Sequence, residues 1–107
     1  MIQEVTIRYK VFKNLLYIAM SVTILDFYAN WCGPCKTQDP ILENVQEEAS
    51  DVSVTKINVD EDKESANEYQ VRSLPTLVIL DEDDEMVERF VGVTQKDAIL
   101  SAVESAR

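Results

Sequence analysis

The sequence has no histidine and only two cysteines among its 107 residues. Structural zinc sites usually take four cysteine or histidine ligands, so one chain cannot complete such a site, although two chains could share one across a dimer. A chain of this size can bury most of its apolar surface without disulfides. We therefore expect no metal site within one chain and no cofactor.

Basic residues are also scarce. Ten Lys and Arg stand against twenty Asp and Glu, which gives a formal net charge of -10. This balance argues against binding of nucleic acid or of an anionic membrane surface. It fits a solvated acidic surface, or neutral and basic protein partners. No repeat and no Pro/Gly/Ser-rich linker divides the chain, so we expect residues 1–107 to form one domain and a monomer.

Long hydrophobic runs are few. The longest, LLYIAMSVTIL at residues 15–25, follows three basic residues and superficially resembles a signal peptide. It is too short to span a bilayer. We interpret it as the end of a helix followed by a core strand, which favours a cytoplasmic protein. In that compartment paired cysteines are more often catalytic or metal-binding than structural.

Hydrophobic periodicity predicts an α/β fold in the order βαβαβαββα. Strands are predicted at residues 2–7, 22–29, 52–59, 76–80 and 86–92. Helices are predicted at residues 9–20 and 63–69. A third is predicted after Cys35, with Ile41, Leu42, Val45 and Ala49 facing inward, and the last begins at the capping-box-like TQKD of residues 94–97. The acidic DEDDE at 81–85 is too short for a crossover helix and lacks the ligand pattern of a calcium loop, so it predicts a hairpin turn.

Both cysteines lie in the segment NWCGPCK, residues 30–36. A structural disulfide between them would close a very small loop and stabilise little. The spacing suits a redox dithiol, in which one thiolate attacks a substrate disulfide and the second thiol resolves the mixed disulfide. The pair follows a strand and opens a helix, with Pro34 in its first turn, and the positive helix N-terminus favours a thiolate at Cys32. We predict Cys32 as nucleophile and Cys35, expected to be the more buried, as resolving thiol.

With its surroundings, DFYANWCGPCK closely resembles the thioredoxin signature, and the resemblance continues in KINVDED, VRSLPTLVIL and FVG. It runs from about residue 22 to the C-terminus. The resemblance implies the thioredoxin fold, in which helices flank a central mixed sheet. It also implies the reduction of disulfide-containing protein substrates, with a thioredoxin reductase as electron donor.

The resemblance assigns roles to further residues. Asp26, which lies in an apolar strand where desolvation should raise its pKa, matches the buried acid that exchanges a proton with Cys35. Lys56 matches the lysine near that acid, and Pro75 matches a cis-proline that exposes the backbone of Leu74 to an extended substrate. The implied substrate surface comprises Trp31, Gly33, Pro34, Leu74, Val91, Gly92 and Val93.

The residues alone leave other interpretations open. Asp26 could be a strand-edge aspartate, Lys56 a surface lysine, Pro75 a trans turn proline, and Val91 and Val93 core residues. The first twenty-one residues and the acidic hairpin, which has no Gly or Asn for a positive φ, depart from the family pattern. We therefore also consider a strongly diverged or redesigned thioredoxin that acts as a scaffold with a weak dithiol.

Overall fold

The computed structural model describes residues 21–107. The strand predicted at 2–7 and the helix predicted at 9–20 lie outside the described residues. The remaining elements follow the predicted order, β-α-β-α-β-β-α. They are β1 Val22–Tyr28, α1 Gly33–Glu48, β2 Val52–Asn58, α2 Lys63–Glu68, β3 Thr76–Leu80, β4 Met86–Val91 and α3 Lys96–Ala106.

The four strands form one mixed sheet in the order β2-β1-β3-β4. β1 runs parallel to β2 and antiparallel to β3, and β3 pairs with β4 as an antiparallel hairpin. The predicted mixed sheet and hairpin are thus confirmed. β1 and β3 are central and covered on both faces, which explains why VTILDFY and TLVIL are almost continuously apolar.

Side chains of β1 alternate between two apolar cores, one on each face of the sheet. Val22 and Ile24 enter the core that α1 and α3 cover, together with Leu42, Val45, Ile99 and Val103. Leu25 and Phe27 enter the opposite core, against Tyr69 and Val71. Asp26 follows Ile24 by two positions, so it lies on the α1 side. The strand alternation therefore places a carboxyl group beneath the helix that begins at the two cysteines.

Helix α1 keeps its predicted inward face with two differences. The buried positions of α1 are Cys35, Gln38, Leu42 and Val45, which follow one another at helical spacing. Gln38 was not predicted there, and Ile41 is only partly buried. Among residues 21–107, no helix is long and apolar enough to cross a membrane.

The predicted capping box at the start of α3 is wrong. The helix is capped by Gln95, whose side chain makes no capping hydrogen bond. Thr94 instead donates its hydroxyl to the carbonyl of Gly92 at 3.0 Å. The backbone of Thr94 is also hydrogen-bonded to Gln38, so Thr94 belongs to the preceding loop rather than to the helix.

The acidic turn between β3 and β4 forms without glycine. Asp84 takes the positive φ of 62°, a conformation that aspartate tolerates better than most residues. The carboxylate of Asp81 accepts the backbone N–H groups of Asp83 at 2.9 Å and Glu85 at 3.0 Å. Aspartates therefore supply both the positive φ and the hydrogen bonds of this turn, although it contains no glycine.

Candidate active site

The two cysteines lie at the start of α1, shortly after the carboxyl end of β1. Cys32 is the N-cap residue, with extended backbone, and Cys35 lies in the first helical turn. A disulfide joins them, with Cα atoms 5.3 Å apart. The backbone N–H of Cys35 points at Cys32 Sγ, at an N···S distance of 3.1 Å. When the disulfide is reduced, this N–H and the helix N-terminus would both stabilise a thiolate at Cys32.

The prediction that Cys35 is the more buried cysteine is wrong for this oxidised form. Each cysteine is 3% exposed. Both belong to one small apolar cluster with Ala29, against which Leu74 packs. Because the disulfide holds both sulfurs in the same cluster, burial does not distinguish them. Their backbone positions do, since Cys32 precedes the helix and Cys35 lies within it.

Asp26 is a buried carboxyl group without a hydrogen-bond partner among the described residues. Its side chain is 1% exposed. The pKa of Asp26 is raised to about 6, mainly by burial; the charge of Lys56 opposes this increase and the charge of Asp39 adds to it. Lys56 lies opposite Asp26 in the parallel register of β1 and β2, and its Nζ is 3.9 Å from Asp26 Oδ2.

Lys56 has a closer partner in Asp39 of α1, at an Nζ–Oδ1 distance of 2.8 Å. Its ammonium also lies 4.5 Å from the ring centroid of Tyr28. Burial lowers the pKa of Lys56, but the hydrogen bond to Asp39 and the charges of Asp39 and Asp26, with Tyr28, together outweigh that effect, so the net pKa is raised. Asp26, Asp39 and Lys56 line one surface pocket of about 270 Å³. The pocket brings the buried carboxyl group close to solvent.

Pro75 and Leu74 lie next to the cysteine cluster. The Leu74–Pro75 peptide bond is cis, immediately before β3. Pro75 is buried, and the half-buried Leu74 packs against the cysteines. The carbonyl of Pro75 accepts the backbone N–H of Gly92 at 2.8 Å. This hydrogen bond brings the loop that follows β4 to the segment beside the dithiol.

Apolar side chains are exposed around the cysteines. Trp31 is 71% exposed, Val91 61% and Val93 39%, so the two valines are not core residues. Gly33 and Pro34 are also exposed. The indole N–H of Trp31 donates to Asp60 Oδ2 at 2.9 Å, which restricts the orientation of its ring.

Residues 3–105 match the sequence model of the family described as thioredoxin. The chain belongs to the thioredoxin family. As a thioredoxin with a Cys32–Cys35 pair at disulfide distance, it is a thiol–disulfide oxidoreductase. The predicted thioredoxin fold is confirmed by the mixed four-stranded sheet and by its similarity to solved thioredoxin structures.

Individual thioredoxins are similar over most of the chain. The thioredoxin of Bacillus subtilis is 46% identical over 83 residues, which cover 77% of this chain and 79% of that protein. The thioredoxin of Chlamydia caviae is 39% identical over 87 residues, 81% of this chain and 84% of the relative. A mutant thioredoxin from Halobacterium salinarum superposes with a TM-score of 0.74 at 44% identity, covering 80% of this chain and 74% of that one.

Three polar residues near the dithiol were missed by the sequence analysis. The neighbouring sequence does not indicate a role for Asp39 or Asp60, because each pairs with a side chain that is distant in sequence. Gln38 does have a local signal, since it follows Cys35 by three residues and precedes Leu42 by four, on the buried face of α1. A polar residue within that stripe indicates a buried partner.

Proposed function

We propose that this thioredoxin reduces disulfide bonds of other proteins, with Cys32 as the attacking thiolate and Cys35 as the resolving thiol. The observation that carries the proposal is the Cys32–Cys35 disulfide at the start of α1, with the Cys35 N–H directed at Cys32 Sγ. The donor stabilises negative charge on the Cys32 sulfur before the attack, so Cys32 is a thiolate at neutral pH more readily than Cys35. Cys32 is therefore the better nucleophile of the two.

The reaction proceeds in two exchanges. The Cys32 thiolate attacks one sulfur of the substrate disulfide, that S–S bond breaks, and the other substrate sulfur leaves and takes up a proton. The Cys35 thiol then gives up its proton and attacks Cys32 Sγ, which releases the second substrate sulfur as a thiolate that is protonated in turn. The substrate gains two electrons and two protons, and the protein is left with its Cys32–Cys35 disulfide.

We assign the proton of Cys35 to Asp26. A carboxyl group with a pKa of about 6 is largely ionised at neutral pH, yet binds a proton more readily than an exposed aspartate. Neither oxygen of Asp26 is hydrogen-bonded within residues 21–107, which supports this role. Lys56, which lines the same pocket, moderates the charge left on Asp26.

Substrate proteins bind, in this proposal, across the surface around the dithiol. An extended substrate segment pairs with the backbone of Leu74 beside Pro75, in the manner of an added strand. The exposed side chains of Trp31, Val91 and Val93 supply apolar contact without selecting one side chain. Gly33, Pro34 and Gly92 have no long side chain, so the substrate backbone can approach closely there.

We further infer a thioredoxin reductase as the electron donor, because the relatives that cover most of the chain are thioredoxins. We also propose that the protein is a monomer and that it acts in the cytoplasm. The family match at residues 3–105 supports a single domain over residues 1–107.

The test is reduction of insulin disulfides with dithiothreitol as electron donor. We expect the wild-type protein to accelerate insulin precipitation and Cys32→Ser to return the rate to that of dithiothreitol alone. Cys35→Ser should instead accumulate a covalent complex with the substrate, because the mixed disulfide cannot be resolved. No acceleration by a folded protein with both thiols accessible would contradict the proposal and favour a thioredoxin-fold scaffold.

A further inference from the structure

Gln38 is a fully buried amide that the reaction above does not use. Its side chain is 0% exposed, although glutamine is usually found at the surface. It lies one helical turn after Cys35, on the same buried face of α1. A buried amide at this position displaces an apolar side chain from the core, so it must be held by hydrogen bonds.

Both ends of the Gln38 amide bond to the backbone of Thr94. Nε2 donates to the carbonyl of Thr94 at 2.9 Å, and Oε1 accepts the Thr94 N–H at 2.8 Å. The side chain thus pairs with Thr94 as a neighbouring strand would, across 56 positions of sequence. An apolar side chain of similar length would leave the two polar groups of Thr94 without this partner.

The loop that follows β4 is consequently fixed at two points. Gly92 donates its N–H to Pro75, and Thr94 is held by Gln38. Val93, which is 39% exposed, lies between these two anchors. The second anchor belongs to α1, the helix that contains Cys35 and has Cys32 as its N-cap, so one helix connects the apolar loop with the dithiol.

We propose that Gln38 is a positioning residue for protein substrates, which fixes the Gly92–Thr94 loop against the helix that carries the dithiol. This inference rests on the proposed function, since it concerns the surface on which substrate proteins dock. A loop that is already ordered loses less conformational entropy when a protein binds. A small disulfide that reaches only the sulfur atoms gains nothing from this order.

The test separates docking from chemistry by comparing Gln38→Met with the wild-type protein on two substrates. Insulin reduction with dithiothreitol gives KM for a protein disulfide. A single turnover of the pre-reduced protein with the small disulfide DTNB reports the dithiol alone. We expect KM for insulin to rise about tenfold, the equilibrium effect of one to two neutral hydrogen bonds, while the DTNB rate changes less than about twofold.

Gln46→Met is the matched control. Gln46 lies on the same helix, and its amide donates to the carbonyl of Val52 at 3.5 Å, away from the Gly92–Thr94 loop. It should leave both substrate measurements near wild type. Amide hydrogen exchange of Thr94 provides a readout independent of activity, and it should become faster in Gln38→Met and not in Gln46→Met.

Gln38→Glu keeps the inference testable if Gln38→Met does not fold. A protonated glutamic acid can donate to the Thr94 carbonyl and accept its N–H, whereas the ionised form can only accept. The ratio of variant to wild-type KM for insulin should therefore approach one as the pH falls and grow as it rises. A ratio near one at every pH, or equal losses on insulin and DTNB, would overturn the inference. A wild-type protein inactive on both substrates would instead refute the dithiol function, and the inference with it.

Discussion

The buried carboxyl group of Asp26 should make the stability of the oxidised protein depend on pH. Burial, which the opposing charge of Lys56 offsets only in part, raises the pKa of Asp26 from 3.8 to about 6. A carboxyl group whose pKa is higher in the folded than in the unfolded chain binds its proton more tightly when folded. Its contribution to stability is therefore fully present below about pH 3.8 and is lost as the pH rises through about 6.

The size of the effect follows from the two pKa values. A pKa difference of about two, at about 1.4 kcal/mol each, corresponds to about 3 kcal/mol in the free energy of unfolding. Roughly half of this, about 1.5 kcal/mol, is lost between about pH 5 and pH 8. Asp26→Asn removes the titrating group and keeps its shape. The free energy of unfolding of the variant relative to wild type should thus rise by about 1.5 kcal/mol over that interval.

The measurement is urea unfolding of the oxidised proteins, followed by far-UV circular dichroism at several values between about pH 5 and pH 8. The buried amide of the variant adds an offset that does not depend on pH, so the slope of the difference carries the result. Asp62→Asn is the control, because hydrogen bonds from Ser65 lower the pKa of Asp62, which is already ionised throughout this range. A flat difference for Asp26→Asn would refute the argument that this carboxyl group is desolvated.

Two further predictions concern the neighbours of Asp26. Asp39→Asn removes the ion pair that holds Lys56 at 2.8 Å, so Lys56 can turn towards Asp26 and the pKa of Asp26 should fall below about 6. An NMR titration of the Asp26 carboxyl carbon measures this directly, and an unchanged value would show that Asp39 does not compete for Lys56. Leu42→Ala opens a cavity in the core beneath α1, where Leu42 is 3% exposed, and should cost about 2–5 kcal/mol in urea unfolding. A cost below about 1 kcal/mol would mean that the surrounding core collapses into the space.

Much of the fold could be predicted from local pattern. The bounds of β3 agree with the prediction at both ends, and β1, β2 and β4 each end one residue earlier than predicted. The period-two and helical repeats on which these predictions rest are set by the backbone geometry of each element. The start of α3 was the exception. Threonine often caps helices, but the hydroxyl group of Thr94 is hydrogen-bonded to Gly92 and its backbone to Gln38.

The candidate site, like the fold, could be predicted from the sequence only in part. Adjacent positions place Cys32 before α1 and Cys35 within it, and strand alternation places Asp26 under that helix. The resemblance to thioredoxins singled out Lys56 and Pro75. Equal burial of the two cysteines was not predicted, because it depends on the packing of Leu74 and Ala29 around the disulfide.

The sequence by itself determined the order of the elements and the dithiol at a helix start, because each depends on residues within a few positions of one another. Whether Asp26 is buried or lies at a strand edge was left open by the residues alone. Only the tertiary structure decided which polar groups meet. The pairs Lys56–Asp39, Trp31–Asp60 and Gln38–Thr94 join residues 17, 29 and 56 positions apart. Such pairs depend on the strand register and on how α1 lies across the sheet, and neither is encoded in a local repeat.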